Sequence, residues 1–272
     1  MKNNNIYTLI TGGSMGIGQA FAHDCARRGM NLLLVALPGR ELKETALELE
    51  NTYKVTVHTL EIDLTEKEAP EMVYNWCMRH GFRVNILINN AGVAGTAIFE
   101  DSPIEYSDLR IQLNIRALVL LTRYFIPQMK QFEKSYILNV SSLSAYYAIP
   151  FKSIYSASKA FVLSFSKSLR EELRNTPIHV SVVCPNGVQT NNGTFERIKS
   201  HGLMGKLTQI DRLKLAKFSL NLMFRGKTVI IPKRINKLLL TIGHLTPGAI
   251  KQRLLRREFS KEILANKNIE KA

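Results

Sequence analysis

The sequence predicts an α/β protein built on a doubly wound parallel sheet of about seven strands, and three observations lead to this prediction. Short runs rich in leucine and β-branched residues alternate with amphipathic segments of about 10–20 residues, which is typical of βαβ units. The short runs are almost continuously apolar, as expected of strands that are covered by helices on both faces. A glycine-rich loop follows the first of these runs directly.

The elements follow from composition and periodicity, taken in chain order. The predicted strands are Ile6–Thr11, Asn31–Ala36, Val55–Glu61, Val84–Asn89, Ser135–Val140, His179–Val183 and Thr228–Ile231. The predicted helices are Gly18–Arg28, Leu42–Tyr53, Glu68–His80, Pro103–Phe132, Tyr155–Arg174 and Thr208–Phe224. Gly29 is expected to cap the first helix at its C-terminus, and Thr208 with Asp211 predicts a capping box at the start of the last.

The charge divides the chain into two regions. The 272 residues are 45% hydrophobic and 22% charged, which excludes intrinsic disorder and collagen-like repeats. Residues 1–196 carry 19 basic and 18 acidic side chains, whereas residues 197–272 carry 18 basic and 4 acidic ones. No linker rich in proline, glycine or serine divides the chain. We therefore predict a single domain over residues 1–232 and a basic helical extension over residues 233–272.

Cysteine usage and the chain start bear on the compartment. The three cysteines, Cys25, Cys77 and Cys184, are scattered and have no neighbours at metal-ligand spacing. The first residues do not resemble a secretory signal, and no run approaches the roughly 18 apolar residues that would span a bilayer. These features favour a reduced cytoplasmic protein without a metal site.

The glycine-rich loop, residues 11–18, lies between the first strand and the first helix. Glycines at this position let the backbone approach a pyrophosphate, which then binds to the N–H groups at the start of the helix. The loop therefore predicts a dinucleotide site. Its expected contacts are Gly12, Ser14, Gly16, Ile17 and Gly18.

The end of the second strand decides which dinucleotide is favoured. An acidic residue there would bind the ribose 2′-hydroxyl of NAD, but the strand continues as Leu37-Pro38-Gly39-Arg40. Arg40 can pair with a 2′-phosphate, which favours NADP(H) over NAD(H). The alternative is that Arg40 is a solvated arginine in a turn.

A set of polar residues with defined spacing indicates catalysis. Tyr155 and Lys159 are four residues apart, so both lie on one face of the predicted helix. Ser142 precedes Tyr155 by 13 residues and ends the fifth strand. Asn90 follows the fourth strand in the segment Asn89-Asn-Ala-Gly92, and Asn114 falls within the long helix after it.

In these motifs the sequence resembles the short-chain dehydrogenase/reductase family in its Tyr-x-x-x-Lys form, and in particular a bacterial ketoreductase-like branch. The resemblance covers roughly residues 6–232. It rests on the glycine loop, Asp63-Leu64, the Asn89–Gly92 segment, Ser142, Tyr155 and Lys159, all in order and at family spacing. It implies a Rossmann fold and a nicotinamide cofactor.

The resemblance also implies catalytic roles. Tyr155 would be the general acid in ketone reduction and the general base in alcohol oxidation. Lys159 would lower the pKa of the Tyr155 phenol and hold the nicotinamide ribose. Ser142 would hydrogen-bond the substrate oxygen, with Ser141 or Ser144 as alternatives.

For the remaining residues the resemblance implies support of the cofactor. Asn114 would position a water near Lys159, the alternative being an ordinary buried amide. Asp63 would contact the adenine, the alternative being a turn residue. The other implied cofactor contacts are Leu64, Asn90, Ala91, Gly92, Pro185, Val188 and Thr190.

Two residues depart from the family pattern. Asn186 is interposed where the family has Pro-Gly after the sixth strand, so cofactor contact there is expected to be altered. Leu37 stands where NADP-using relatives of this branch commonly carry arginine, which weakens the support for NADP(H).

Three loops are expected to enclose the substrate: Ala94–Ser102, Leu143–Ile154 and Asn191–Lys206. The second contains Tyr146, Tyr147, Ile149 and Phe151, which favours an apolar, acyl or aromatic ketone over a sugar. Family analogy further suggests a homodimer or homotetramer formed through the helices at Pro103–Phe132 and Tyr155–Arg174.

The extension contains a predicted basic amphipathic helix at Ala249–Ala265. Ile250, Leu254, Leu255, Phe259 and Ile263 form its apolar stripe. Such a helix can cover the active site or a subunit partner, lie on an anionic membrane, or bind an anionic acyl or carrier substrate. No recognition motif accompanies the charge, so nucleic acid is not an expected partner.

Together these features predict an oxidoreductase that interconverts a ketone and a secondary alcohol by hydride transfer, with NADP(H) as cofactor. A 3-oxoacyl-thioester (carrier protein) reductase is the alternative within enzymes. A non-enzymatic dinucleotide-binding adaptor at a membrane surface is the alternative from another class. The presence of Ser142, Tyr155 and Lys159 argues against the adaptor, because a binding protein does not need an activated phenol.

Overall fold

The computed structural model describes residues 5–188 and 208–269, with the side chains of the last helix described to Ile263. The strands are β1 (Ile6–Thr11), β2 (Asn31–Ala36), β3 (Val57–Glu61), β4 (Arg83–Asn89), β5 (Ser135–Val140), β6 (Ile178–Val183) and β7 (Val229–Ile230). The α-helices are α1 (Gly16–Arg27), α2 (Arg40–Tyr53), α3 (Ala69–Arg79), α4 (Ile104–Ile111), α5 (Leu118–Met129), α6 (Ser153–Glu172), α7 (Arg212–Phe224), α8 (Arg234–Leu245) and α9 (Gly248–Ile269).

The strands form one parallel sheet in the order β3-β2-β1-β4-β5-β6-β7. From β1 the chain builds outward to β2 and β3, then crosses back to place β4 on the other side of β1. In register, Leu9 of β1 lies between Leu33 of β2 and Leu87 of β4. The carboxyl ends of β1 and β4 therefore meet where the strand order reverses, which is the ligand-binding crevice of such sheets.

Helices cover both faces of the sheet. Phe21 of α1, Leu42 of α2 and Leu215 of α7 are fully buried in the core on one face. Val73 of α3 and Phe125 of α5 are fully buried in the core on the other face. This confirms the predicted doubly wound fold, and the predicted strand bounds differ from the observed ones by at most two residues.

The long helix predicted over Pro103–Phe132 is wrong as a single element. A π-helical turn at Gln112–Ala117 separates α4 from α5. A π turn accommodates one residue more than an α turn and is common at functional sites. The apolar pattern of the segment does not reveal this turn, because helical periodicity does not distinguish a π turn from an α turn.

The predicted capping box at Thr208 is also wrong. The helix α7 begins at Arg212, and the Asp211 carboxylate caps it by accepting from the N–H groups of Leu213 (3.1 Å) and Lys214 (3.0 Å). Ile210 is engaged in a bridge with Val188, so the helix cannot start before Asp211. By contrast, Gly29 follows α1 at φ +76°, as a C-terminal cap requires.

The extension forms the two helices α8 and α9, which pack against the loop after β5. The Tyr147 hydroxyl donates to the Leu239 carbonyl (3.2 Å), and Gln252 donates to the Ala148 carbonyl (3.1 Å). The Lys251 ammonium donates to the Gly243 carbonyl (3.1 Å) and joins the two helices. Within the residues that the structure describes, none of the helices has the length and apolarity needed to cross a bilayer.

Candidate active site

The glycine loop makes a tight turn at the carboxyl end of β1. Gly12 (φ +65°) and Gly16 (φ +60°) adopt the left-handed conformation that favours glycine. At Gly18 an added Cβ would lie 1.9 Å from the Gly12 carbonyl oxygen, so only glycine fits. Among the described residues no side chain caps the start of α1, so its N–H groups face the crevice without a side-chain acceptor. This geometry fits a bound pyrophosphate.

Asn90 hydrogen-bonds the glycine loop and so holds it at the end of β4. Its amide nitrogen donates to the carbonyls of Thr11 (2.9 Å) and Gly12 (3.1 Å). The Thr11 hydroxyl accepts from the backbone N–H groups of Asn90 and Ala91, both at 3.0 Å. Asn90 therefore supports the loop from below. The role of Thr11 was missed by sequence reasoning, which treated it only as the first residue of the loop.

Arg40 lies in the first turn of α2 with its side chain 86% exposed. Its guanidinium forms an ion pair with Glu44 (2.8 Å), four residues along the helix. Leu37, at the end of β2, is also exposed. Arg40 thus lies shortly after β2, at the start of α2, and its guanidinium pairs with the Glu44 carboxylate on the same helix.

Asp63 follows β3 and forms a turn with Thr65. Its Oδ1 accepts from the Thr65 N–H (2.9 Å) and hydroxyl (2.7 Å). The Ile62 N–H donates to the Ala36 carbonyl (2.8 Å), which brings this turn to the end of β2. Leu64 is buried beneath the turn. Asp63 therefore forms a turn after β3, and its contact with the adenine stays a prediction.

Lys159 is buried at the carboxyl end of β5. Its ammonium donates to the Val140 carbonyl (3.0 Å) and lies 5.9 Å from the centre of the Tyr155 ring. Burial lowers the pKa of Lys159 to about 8, so the side chain is still mostly protonated at neutral pH. Burial also raises the pKa of the nearby Cys184 to about 12, which keeps that thiol neutral. Lys159 is therefore a cation near Tyr155, and the neutral Cys184 thiol does not offset its charge.

Asn114 is buried within the π-helical turn. Its Oδ1 accepts from the Val93 N–H (2.8 Å), and its Nδ2 donates to the Val93 carbonyl (3.0 Å) and the Ser158 hydroxyl (3.1 Å). A Cβ added at Gly92 would lie 2.9 Å from Asn114 Oδ1 and 3.3 Å from Lys159 Nζ. Asn114 and Lys159 therefore lie so close to Gly92 that a side chain at position 92 would crowd both of them.

The three neighbouring serines have different environments. Ser141 is buried, and its hydroxyl donates to the Lys159 carbonyl (2.7 Å). Ser142 caps a short 3₁₀ turn (Leu143–Tyr146) by accepting from the Ser144 N–H (3.1 Å). The buried Ser144 hydroxyl has no partner in the part of the chain that the structure describes. Ser141 is therefore occupied structurally, which favours Ser142 over it as the substrate-binding serine.

The segment after β6 keeps its backbone contacts despite Asn186. The Pro185 carbonyl accepts from the Leu143 N–H (2.8 Å), and the Gly187 carbonyl accepts from the Ile210 N–H (3.1 Å). Val188 is buried at the bridge with Ile210. Thr190 and the predicted loop Asn191–Lys206 lie outside the described residues.

The two described substrate loops are joined directly. The Ala97 N–H donates to the Phe151 carbonyl (2.8 Å), and together with Tyr106 these residues line a small cleft that reaches Tyr155. Of the predicted apolar residues, Ile149 is buried and burial raises the pKa of Tyr146. The Tyr147 hydroxyl is engaged by α8, as described above. Aromatic and aliphatic side chains thus line this cleft together with Ser102, Lys152 and Ser153.

A buried ion pair between the loops and α9 was missed by sequence reasoning. The Lys152 ammonium lies 2.7 Å from Glu262 Oε2, and both side chains are buried. Lys152 also donates to the Thr96 hydroxyl, which in turn donates to Glu262. The Phe259 ring lies 5.2 Å from the same ammonium. Because 110 residues separate the two charges, no local pattern could indicate the pair.

Between the second substrate loop and α9 lies a groove of about 420 Å³, which we call the arginine groove. Its lining residues are Pro150, Phe151, Gln252, Arg253 and Arg256. Within residues 5–188 and 208–263, neither arginine forms an ion pair with a carboxylate. Phe151 lines both this groove and the cleft near Tyr155, so the groove adjoins the candidate substrate site.

Comparison with known proteins gives a consistent result. The model of the family described as short chain dehydrogenase matches residues 7–199. The chain is 34% identical over 193 residues to 17-beta-hydroxysteroid dehydrogenase type 3 of Homo sapiens, covering 70% of this chain and 61% of that protein. It is 31% identical over 195 residues to very-long-chain 3-oxoacyl-CoA reductase of Bos taurus, covering 70% and 62%. The match spans less than two thirds of these curated relatives.

Solved structures match over more of the chain. The bulky-bulky ketone specific alcohol dehydrogenase from Comamonas testosteroni superposes with a TM-score of 0.74 at 31% identity, covering 88% of this chain and 92% of that one. A short-chain dehydrogenase from Sphingobium yanoikuyae in complex with NADPH gives a TM-score of 0.74 at 34% identity, covering 84% and 88%.

Proposed function

Because the chain belongs to the short-chain dehydrogenase family, we propose that it interconverts a ketone and a secondary alcohol with NADP(H) as its cofactor. The observation that supports this most is the buried ammonium of Lys159 beside the Tyr155 ring, at the carboxyl end of β5. A phenol needs such a neighbouring cation to exchange a proton near neutral pH, because its ordinary pKa is about 10.

The residues of the chain supply the proton and hold the substrate. Tyr155 protonates the carbonyl oxygen during reduction and accepts the proton during oxidation. Lys159 stabilises the phenolate form of Tyr155, and Ser142 donates a hydrogen bond to the substrate oxygen where negative charge develops. Asn114 orients a water near Lys159. The nicotinamide cofactor, when bound, supplies or accepts the hydride.

The preference for NADP(H) rests on the end of β2. No acidic residue stands there to bind a ribose 2′-hydroxyl, and Arg40 lies in the first turn of α2. Moving the guanidinium from Glu44 to a 2′-phosphate would replace an exposed ion pair of little energy with a charge-assisted contact. The Sphingobium yanoikuyae neighbour, which binds NADPH, supports the same assignment.

Calorimetric affinities for NADPH and NADH test this preference. We expect NADPH to bind more tightly, and Arg40→Ala to weaken it about tenfold while leaving NADH unchanged, as for one hydrogen bond to a charged group. Arg79→Ala, which removes an exposed arginine from α3, is the matched control. Equal affinities for the two dinucleotides would refute the NADP(H) assignment.

For the substrate we propose a bulky apolar or acyl ketone. The aromatic and aliphatic side chains of the two described loops support this class. The names of the relatives, which refer to a hydroxysteroid, a very-long-chain acyl group and bulky ketones, agree with it. A ketone series assayed with NADPH should show kcat/KM rising with apolar size. Loss of turnover in Tyr155→Phe with retained NADPH binding would exclude a dinucleotide-binding adaptor.

The arginine groove favours a second candidate, a 3-oxoacyl-thioester reductase. Arg253 and Arg256 line a cavity that adjoins the substrate loop, and arginine binds phosphate groups well. Coenzyme A and the phosphopantetheine arm of a carrier protein both carry phosphate at the opposite end of the pantetheine chain from the thioester they deliver. The groove would hold that phosphate while the acyl group reaches Tyr155.

Two thioesters with the same 3-oxoacyl chain distinguish the candidates: one of coenzyme A and one of N-acetylcysteamine, which lacks phosphate. Arg256→Glu should raise KM about tenfold or more for the first and leave the second unchanged. Arg257→Glu introduces the same charge change one residue away, outside the groove, and is the matched control. Equal effects of both variants would indicate only a general loss of positive charge.

We also propose a homo-oligomer formed through α4, α5 and α6. Leu109 and Ile111 of α4 and Phe161 of α6 expose large apolar surfaces, which is typical of subunit interfaces. Light scattering should give a mass of two or four chains, and Phe161→Glu should reduce it. Leu47→Glu on α2 should not.

A further inference from the structure

The two helices of the extension expose an unusual number of large apolar side chains. Leu238, Ile242 and Leu245 follow one another at intervals of four and three residues in α8, so they share one helix face. Ile250 and Leu254 are spaced in the same way on α9. Each of the five is more than half exposed, and Leu245 reaches 81%. We call these five residues the apolar face.

Basic side chains surround the apolar face. Residues 233–263 contain eight lysines and arginines but only two acidic residues, Glu258 and Glu262. Glu262 is buried against Lys152, and Glu258 forms an ion pair with Lys261 (2.8 Å). The surface of the extension is therefore both apolar and strongly positive.

We propose that α8 and α9 bind the surface of an anionic lipid bilayer, with the apolar face in the boundary between headgroups and acyl chains. A helix with an apolar face and a basic polar face is suited to this position. Each lysine or arginine near an anionic leaflet adds about 1 kcal/mol to the binding free energy. The contact is peripheral and does not require a spanning segment.

The charge argues against the other occupants of such a face. A second copy of this chain would bring the same positive charge against it, which disfavours a symmetric contact. An acidic protein surface would satisfy the charge but not five exposed aliphatic side chains. A lipid surface offers both the negative charge and the apolar layer.

Because α8 and α9 are linked to the substrate loops, a bilayer bound to these helices has a fixed orientation relative to the rest of the protein. Buried Glu262 links α9 to Lys152, and Tyr147 links the substrate loop to α8. A bilayer bound to these helices therefore lies near the substrate loops. The proposal itself does not depend on the proposed catalytic function, because binding to vesicles needs no turnover.

Co-sedimentation of the full chain with vesicles tests the proposal. The anionic probe is a vesicle of phosphatidylcholine with 30% phosphatidylserine, which should bind the chain. Vesicles of pure phosphatidylcholine should bind it much less. Raising the salt concentration from about 0.1 to 0.5 M should weaken the binding to the anionic vesicles. Leu254→Glu should lower the affinity more than tenfold, because it removes a buried leucine side chain from the bilayer. Leu47→Glu is the matched control, since Leu47 and Leu254 are both 59% exposed.

Three outcomes would overturn the proposal. The first is no binding to anionic vesicles by the full chain. The second is an equal loss in Leu254→Glu and Leu47→Glu, which would mean that only net charge matters. The third is self-association that Leu254→Glu abolishes in the absence of vesicle binding, which would make the apolar face a subunit interface. Far-UV circular dichroism of both variants establishes that each is folded.

Discussion

Two buried lysines lie seven residues apart at the start of α6, and their surroundings are opposite. Lys152 is 8% exposed and forms an ion pair with Glu262. Lys159 is 6% exposed, donates to the neutral Val140 carbonyl, and has no carboxylate within ion-pair distance among the described residues. Burial removes both ammonium groups from water, which is unfavourable, but within the described part of the chain only Lys152 has a carboxylate that offsets this loss.

The difference shows what each cation is suited to do. A paired charge joins two parts of the chain, here the substrate loop and α9. An unpaired buried cation keeps a pKa near the working range and can act on the phenol of Tyr155. The following substitutions test this division of roles.

The largest expected effect is on turnover in Lys159→Met. Without the ammonium, the Tyr155 phenol loses the charge that favours its proton transfer, so kcat should fall by about 10² to 10⁴. The free energy of unfolding should change less than in Lys152→Met, because the substitution also removes a desolvated charge. Steady-state kinetics and urea denaturation measure the two quantities. Near wild-type turnover would contradict the role of Lys159.

Lys152→Met should mainly affect stability. It leaves the buried Glu262 carboxylate without this counter-charge, and breaking such a pair costs about 3–5 kcal/mol. The double variant Lys152→Met/Glu262→Leu should recover most of that loss, since two apolar groups replace two charges. A double variant as unstable as the single one would show that the ion pair is not what holds α9.

Gly92→Ala should have an intermediate effect. The new methyl group would lie 2.9 Å from the buried Asn114 Oδ1, so the Asn114 side chain would have to shift. We expect kcat to fall about tenfold to a hundredfold and the free energy of unfolding to fall as well. Gly248→Ala is the control, because nothing lies within 4 Å of its added Cβ. An unchanged kcat in Gly92→Ala would mean that turnover does not depend on the positions of Asn114 and Lys159 next to Gly92.

The smallest effect concerns the pH dependence of stability. The pKa of Lys159 is lowered to about 8 in the folded protein, from an ordinary value of about 10.5. Between these values the unfolded state binds more protons, so this group raises the unfolding free energy as the pH increases from 8 to 10.5. Below pH 8 the penalty of the buried charge is complete. Urea denaturation of the wild type and Lys159→Met should show this rise only in the wild type.

The sequence predicted the elements that depend on local pattern. Apolar runs located the strands, and the glycine spacing located the loop where Gly18 must pack against Gly12. Family spacing led to Tyr155 and Lys159 near the end of β5, where the structure brings them together. These features are recognisable because each depends on residues close together in the chain.

What the sequence could not predict depends on distant residues or on backbone geometry. The pair of Lys152 and Glu262 joins residues 110 positions apart. Asp211, not Thr208, caps α7, because the bridge of Ile210 with Val188 delays the helix. Helical periodicity does not distinguish a π turn from an α turn, so the surroundings of Asn114 were also missed.

The π-helical turn at Gln112–Ala117 makes this part of the chain sensitive to length as well as to composition. The wider winding of the turn takes up one extra residue, so α5 keeps the rotational phase that an α-helix one residue shorter would give it. Removing one residue would therefore leave Leu121 and Phe125 facing the core but would change the backbone that holds Asn114. We expect homologous sequences that are one residue shorter here to keep this core and to lose the placement of Asn114.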